Sequence, residues 1–239
     1  MKIEKFDKIL IFRFVTFMHS KGIAFEYNDK KHLLDFILDK ESIIKLRLPL
    51  DMDFDFDKKL PIHTDFKNYV LIMIRSGIAS VGFFENYVNH QHKVFRAYMT
   101  RKKQGKSQIK HLKTKGKSRA GSRIRLQETL EFFESINHRI QEHFDEFRID
   151  KIGISCSETL IPYFYGGKVP TPFDKQDERI FKIPKHIQNP TFEELTEVNK
   201  FLMQSEIRIA EGGQLHYEAF MYEVRNSEIT LNEEKDEDW

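Results

Sequence analysis

From Tyr69 to Thr100 the sequence passes through three apolar segments joined by very short polar breaks, and this run limits the fold more than any other. "YVLIMIRSG" has the make-up of a buried strand, Ser76-Gly77 suits a turn, "IASVGFFEN" reads as a second strand and "YVNHQHKVFRAYMT" as a third. Connections this short join antiparallel neighbours, so an antiparallel meander is predicted. In the third strand Val88, His90, His92 and Val94 alternate on one face. Two histidines facing one way without a third ligand read as a surface strand rather than a metal site.

Directly after the third strand comes "RKKQGKSQIKHLKTKGKSRAGSRIR", Arg101–Arg125, with eleven Lys or Arg, no Asp or Glu and three glycines. The chain has 39 basic and 37 acidic residues, so everything outside this stretch has 28 against 37, a net −9. Charge separated this far points to a local polyanion site, not a generally adhesive surface. Nothing apolar in residues 101–119 offsets the entropy of ordering them, which predicts a long mobile loop.

A helix is predicted to begin near Ala120–Ser122. Leu126, Leu130, Phe133, Ile136 or Asn137, Ile140 and Phe144 recur at three- and four-residue steps and form one apolar stripe. The stripe implies about 24 residues, roughly 36 Å of helix. Arg119, Arg123 and Arg125 fall in its first turns, where the helix dipole prefers acids. Arginines beside free backbone N–H groups at a helix start suit a phosphate. "RIDKIGISCS" follows as a strand, predicted parallel to the inner strand of the meander because a helix crosses over to reach it. "ETLIPYFYGGKVPTPFDKQDE" is loop-rich and "RIFKIP" is a short strand. "NPTFEELTEVNKFLMQSEIRIAEGG" reads as one helix, with Thr191 and Glu194 as a capping box and Gly212-Gly213 as its terminator.

Upstream of the meander, "FDKILIFRFVTFMHS" and "KKHLLDFILDK" read as helices and "SIIKLRLPL" as a strand. "DMDFDFDKK" lacks the central Gly and distal Glu of a calcium loop and reads as a solvated turn or edge strand. Arg13 breaks the first apolar run and no small-residue cleavage site follows, so an amphipathic helix is predicted there, not a signal peptide. No window is apolar enough to span a bilayer. The single cysteine, Cys156, permits neither an internal disulfide nor a multi-cysteine zinc site, and it reads as a strand core residue. The expected location is the cytoplasm. The expected organisation is a mixed helix/strand extension over 1–60, an α/β domain over 61–225 and an acidic, disordered tail over 226–239.

The order strand, strand, strand, basic segment, helix, strand, with "FRAYMTRKKQGKSQ" and "SRAGSRIRLQ" in place, resembles the catalytic segment of the Vms/ANKZF-type release-factor-like family. The resemblance covers about residues 66–165. It implies an RNase H-like release-factor catalytic domain with a mixed sheet and a long crossover helix. It also implies release of nascent peptide from stalled peptidyl-tRNA on the large ribosomal subunit, without cofactor or metal. Carried over by position, Gly105 is the loop glycine and Gln108 the catalytic glutamine. Lys102, Lys103 and Lys106 flank them, Gly121 is the helix-start glycine and Arg125 an arginine one turn in; by the charge of the stretch, Arg101, Lys110, Lys113, Arg119 and Arg123 join these cations as expected RNA-binding residues. Lys106 stands where a Gly-Gly-Gln form has its second glycine, which the Gly-x-x-Gln form tolerates. One cysteine rules out the zinc finger of the eukaryotic relatives, so the chain looks like a compact bacterial member.

Glutamine is a poor acid or base, but it can position a water or a ribose hydroxyl, and its backbone N–H can support a developing oxyanion. The residues leave two routes open, hydrolysis of the ester and cleavage within the tRNA 3′ end. The alternatives from other classes are a non-catalytic ribosome- or tRNA-binding factor anchored by the same segment, and a metal-dependent nuclease. The nuclease would need clustered carboxylates, and Asp51, Asp53 and Asp55 precede the meander. The literal Gly212-Gly213-Gln214 has Glu206, Glu211 and Glu218 as neighbours and reads as a helix end rather than an RNA site. Tyr163, Tyr165 and Gly166-Gly167 read as an ordinary loop, with a surface for the tRNA end as the sharper option.

Overall fold

The computed structural model describes residues 2–64, 68–97 and 117–236, with backbone alone for 117–126 and 228–236. In chain order the elements are β1 (Lys2–Glu4), α1 (Lys8–Ser20), β2 (Ala24–Asn28), β3 (Leu33–Leu38), β4 (Glu41–Arg47), β5 (Met52–Asp55) and β6 (Leu60–His63). Then come β7 (Tyr69–Arg75), β8 (Ile78–Glu85), β9 (Val88–Arg96), α2 (Lys117–Glu146), β10 (Lys151–Ser155) and α3 (Ile161–Tyr165). The chain closes with β11 (Ile180–Lys182), α4 (Phe192–Leu202), β12 (Glu206–Ile209) and α5 (Gln214–Asp236). They form two compact units, Met1–Asp65 with Lys200–Trp239, and Phe66–Asn199. These bounds differ from the expected 1–60, 61–225 and 226–239, because residues 200–225 supply β12 and much of α5 to the first unit.

The second unit is built on a five-stranded mixed sheet, order β11-β10-β7-β8-β9. β7, β8 and β9 pair antiparallel, whereas β10 runs parallel to β7 and β11 parallel to β10. The predicted meander and parallel crossover are therefore present. Ser76-Gly77 closes β7–β8 with Gly77 at φ +77°. Asn86 and Tyr87 close β8–β9 with both φ positive, as a primed two-residue turn demands. β7 is central, and its first six residues are all buried, which explains an unbroken apolar run instead of an alternating one. On one face Val70, Ile72, Val81 and Phe83 pack with Phe133, Ile136 and Ile140 of α2. On the other, a Cβ at Gly82 would stand 2.6 Å from Leu195 Cδ2, so a glycine admits α4 there.

The first unit holds an antiparallel sheet, order β1-β12-β4-β3-β2, and the small β5–β6 hairpin. Asp7 Oδ1 caps α1 by accepting from Leu10 N at 2.7 Å. Ile11, Phe14, Val15 and Met18 of α1 are fully buried, with Leu34, Phe36, Ile44 and Ile207 of the sheet and Phe220 of α5 in the same core. Each side chain of this size contributes about 1.5–3 kcal/mol on burial.

Three sequence readings change here. "KKHLLDFILDK" is strand β3, not a helix: Leu34 and Phe36 are buried while Leu33, Asp35 and Ile37 are half-buried, a period of two. Positive φ at Asp39 and Lys40 then turns the chain into β4. The helix predicted across "NPTFEELTEVNKFLMQSEIRIAEGG" stops at Leu202, and Glu206–Ile209 is β12, paired with β1 and β4. The tail is not irregular, since α5 continues through Asp236 over a stretch without Pro or Gly.

Candidate functional site

The edge strand β9 ends at Arg96 and α2 begins at Lys117. The predicted Gly105, Gln108, Arg101, Lys102, Lys103, Lys106, Lys110 and Lys113 fall between them, outside the described residues. Arg119, Arg123 and Arg125 lie in α2, at the third, seventh and ninth helical positions. The helix starts three residues before the expected Ala120–Ser122 and is 30 residues long, not about 24. Gly121, expected at the helix start, is its fifth residue.

The second half of α2 is firmly anchored. Asn137, fully buried in the apolar stripe, donates from Nδ2 to the carbonyls of Phe164 at 2.9 Å and Val169 at 2.8 Å. Gln141 Nε2 reaches Pro170 O at 2.8 Å. On the sheet side Arg139 donates to Gln91 Oε1 at 3.0 Å, and Gln91 donates to Glu146 Oε2 at 3.2 Å. The stripe named the anchoring face, but only the structure shows that Asn137 clamps the loop after α3. A buried polar residue in an otherwise apolar row was the available signal.

Where the chain leaves β9, a cleft of about 280 Å³ lies between Phe95, Arg96 and Ala97 and the α2 residues Glu128, Glu131, Phe132 and Ser135. Its two carboxylates outnumber the single Arg96 cation, which disfavours a phosphate there. His143 of α2 is fully buried, and neither ring nitrogen has a hydrogen-bond partner among the described residues. Burial, helped by the neighbouring Arg139 cation, pulls its pKa down to about 4, so the imidazole is neutral at pH 7.

The other flagged residues are placed as follows. A register shift at Phe83/Phe84 leaves His90 as an extra residue in β9, so His90 and His92 part company. His90 lies by Phe83, on the α2 side, and 3.4 Å from Glu85. His92 stacks on Phe192 of α4 at 3.9 Å. Simple alternation had put them on one face. Among the described residues no group of three His, Cys, Asp or Glu can hold a metal. Cys156 sits just past β10 instead of within it, and burial pushes its thiol up to about 11 against the pull of Arg75, so it is no nucleophile. Tyr163 of α3 is partly exposed and stacks on Phe133, while Lys175 lies over the Tyr165 ring. Gly212-Gly213 do not end a helix. They form the turn that opens α5, and neither has a positive φ. A Cβ at Gly213 would meet Ile43 O at 2.4 Å, so packing against β4 demands this glycine.

The site is thus defined by a meander, a basic segment, a long helix anchored in its second half and a parallel strand. This is the frame of an α/β protein in which a basic segment leads from an edge strand into a long helix that begins with basic residues. The chain belongs to the Bacteroidetes VLRF1 release factor family, whose model matches residues 69–209, more than half of the sequence. That agrees with the release-factor resemblance read from the residues. A solved structure titled "Vms1 mitochondrial localization core" is similar over 74% of this chain and 76% of that chain, at 14% identity and a TM-score of 0.40, too distant to support an argument. No curated protein matches. Among the described residues no helix is long and apolar enough to cross a membrane.

Proposed function

We propose that this protein frees nascent peptide from stalled peptidyl-tRNA on the large ribosomal subunit, with Gln108 of the Gly105-x-x-Gln108 segment at the reacting bond. The observation that carries the reading is that this segment joins β9 to α2 in a chain of a release-factor family. The sheet order β9-β8-β7-β10-β11 supports taking the second unit as an RNase H-like catalytic domain. Gln108 orients a water toward the ester carbonyl, or the neighbouring ribose hydroxyl toward its phosphate, and backbone N–H groups meet the developing charge. Gly105 lets the backbone approach the RNA end. Arg101, Lys102, Lys103, Lys106, Lys110 and Lys113, with Arg119, Arg123 and Arg125 on α2, hold the RNA backbone. The chemistry needs no metal or cofactor, and its place is the cytoplasm, where ribosomes are.

The test uses purified stalled large-subunit complexes carrying peptidyl-tRNA. Wild-type protein releases the peptide, and Gln108→Ala slows release by about 100-fold or more, the cost of removing a positioned transition-state hydrogen bond. An unchanged rate in Gln108→Ala would falsify the catalytic assignment. Binding without any release makes the protein an anchoring factor instead. Analysis of the tRNA 3′ end then chooses the route: an intact end means ester hydrolysis, and loss of terminal nucleotides means cleavage of the RNA.

A further inference from the structure

Within the unit formed by Met1–Asp65 and Lys200–Trp239, a cleft of about 520 Å³ lies between β2 and the β5–β6 hairpin. Its walls are aromatic. Phe25 and Tyr27, alternate residues of β2, share it with Phe54 of β5 and Phe56 just beyond. Tyr27 stacks on Phe54 at 4.8 Å, and Phe56 stands edge-on to the two rings at 5.7 and 5.5 Å. Phe56 is nevertheless 66% exposed, so most of its ring stays in water and adds little to the core.

The polar lining is His19 and Lys59, with no carboxylate. Of the acids in the 51–57 stretch, Asp53 and Asp55 have partners and Asp57 is outside the lining of the cleft, while burial, helped by the nearby Asp29 and Asp53, raises the pKa of Tyr27. Strand alternation sends Asp53 and Asp55 to the face opposite Phe54. Asp53 lies 3.7 Å from His32 Nε2. Asp55 accepts the amides of Asp57 and Lys58 and pairs with Lys58 at 3.4 Å. Lys59 has no ion-pair partner among the described residues, and a positive φ holds the hairpin turn there. The Tyr27 hydroxyl is buried and has no hydrogen-bond partner among the described residues, which leaves a donor without its acceptor.

We propose that this cleft seats one unstacked nucleobase of single-stranded RNA, its ring on Phe56 and an adjoining phosphate at Lys59. Aromatic walls accept any base face, and a cationic rim without carboxylates accepts the phosphate beside it. The choice of RNA over an acidic aromatic peptide rests on the reading that this protein works on ribosome-bound RNA. The site is a second RNA contact, separate in sequence from the Gln108 segment.

The experiment uses the full chain with Lys102, Lys103 and Lys106 replaced by Gln, so that the basic segment does not mask the cleft. The probe is a short, labelled single-stranded oligoadenosine, read by fluorescence anisotropy and by ultraviolet crosslinking with peptide mapping. Crosslinks are expected within residues 19–27 and 54–59, and Phe56→Ala weakens binding about 5- to 100-fold. Phe56→Trp restores it, and Lys59→Gln weakens it less and flattens its salt dependence. Because Phe56 is mostly exposed, an unchanged melting midpoint accompanies the weaker binding. Unchanged affinity in Phe56→Ala, or crosslinks elsewhere, overturns the proposal. AMP binding as tightly as the oligomer reassigns the cleft to a free nucleotide, and an acidic aromatic peptide crosslinking there when the RNA does not reassigns it to a protein partner. Gln108→Ala leaves the crosslink in place, so failure of release and failure of binding at this cleft are separable.

Discussion

Acid should loosen the second unit through one residue. His143 is fully buried between β8 and α2, stacked near Phe83 at 5.8 Å, and neither ring nitrogen has a hydrogen-bond partner among the described residues. Its pKa falls from 6.5 to about 4, because burial and then the Arg139 cation disfavour the imidazolium, with Glu142 opposing weakly. The folded state therefore binds fewer protons than the unfolded state as pH drops below 6.5. Stability from this group is fully present above pH 6.5 and is lost between 6.5 and about 4. The gap of 2.5 units, at 1.36 kcal/mol each, sets the loss at up to about 3 kcal/mol near pH 4. The assay is urea unfolding followed by far-ultraviolet circular dichroism at pH 7.5 and 4.5, on the wild type and on His143→Leu, which fills a similar volume without a titrating group. Wild type should lose markedly more stability than the variant over that interval. Parallel losses would refute the reasoning and assign the acid sensitivity to the surface carboxylates.

Three further outcomes follow from the sites. Gly213→Ala should lower the melting midpoint by several degrees, because the added Cβ meets the Ile43 carbonyl and the Ile44 side chain at 2.4 and 2.5 Å, whereas Gly212→Ala, with only Ile43 Cγ2 at 3.3 Å, is tolerated. Gln214→Ala, which gives up only its hydrogen bond to Glu218, should change neither stability nor peptide release, and a large drop in release would reinstate the literal GGQ as the catalytic motif. For the basic segment, Lys102, Lys103 and Lys106 changed together to Gln should reduce the log–log salt slope of RNA binding by about 2, at roughly 0.7 for each phosphate no longer neutralised. An unchanged slope would mean that these lysines do not touch phosphate.

The second unit was the more legible half of the fold. β7, β8, β10 and β11 are short apolar runs between turn residues, and a long helix between two strands leaves a parallel crossover as the natural arrangement. The first unit hid its topology because its sheet is assembled from both ends of the chain. Glu206–Ile209 shows little as a strand until β1 and β4 flank it. "LLDFIL" contains apolar residues at helix-compatible steps, and the deciding signal was the Asp39-Lys40 turn, where two non-glycine residues take positive φ. The two histidines of β9 separated because a bulge shifts register, which alternation alone does not show. At the site, composition gave the charged segment, and the family resemblance singled out Gln108. The Asn137 clamp and the aromatic cleft depend on residues far apart in sequence and needed the fold.

The charge pattern along α2 ties the fold to the proposed function. Its first ten residues carry Lys117, Arg119, Arg123 and Arg125 and no acid, whereas the part anchored by Asn137 and Arg139 carries Glu128, Glu131, Glu134, Glu142, Asp145 and Glu146. At 1.5 Å per residue, position 119 lies about 13 Å along the axis from Glu128, but position 125 lies only about 4 Å away. Charges beyond about 8 Å are largely screened at physiological salt. A phosphate near position 119 therefore meets positive charge and the helix N-terminus with little opposition, and one near position 125 also meets the first carboxylates. If the protein binds RNA as proposed, the first turns of this helix would attract the RNA and its later, acidic turns would repel it. On the proposed function, this charge order would favour an RNA backbone on the side where the Gln108 segment enters the helix, as a release reaction at a tRNA end would need.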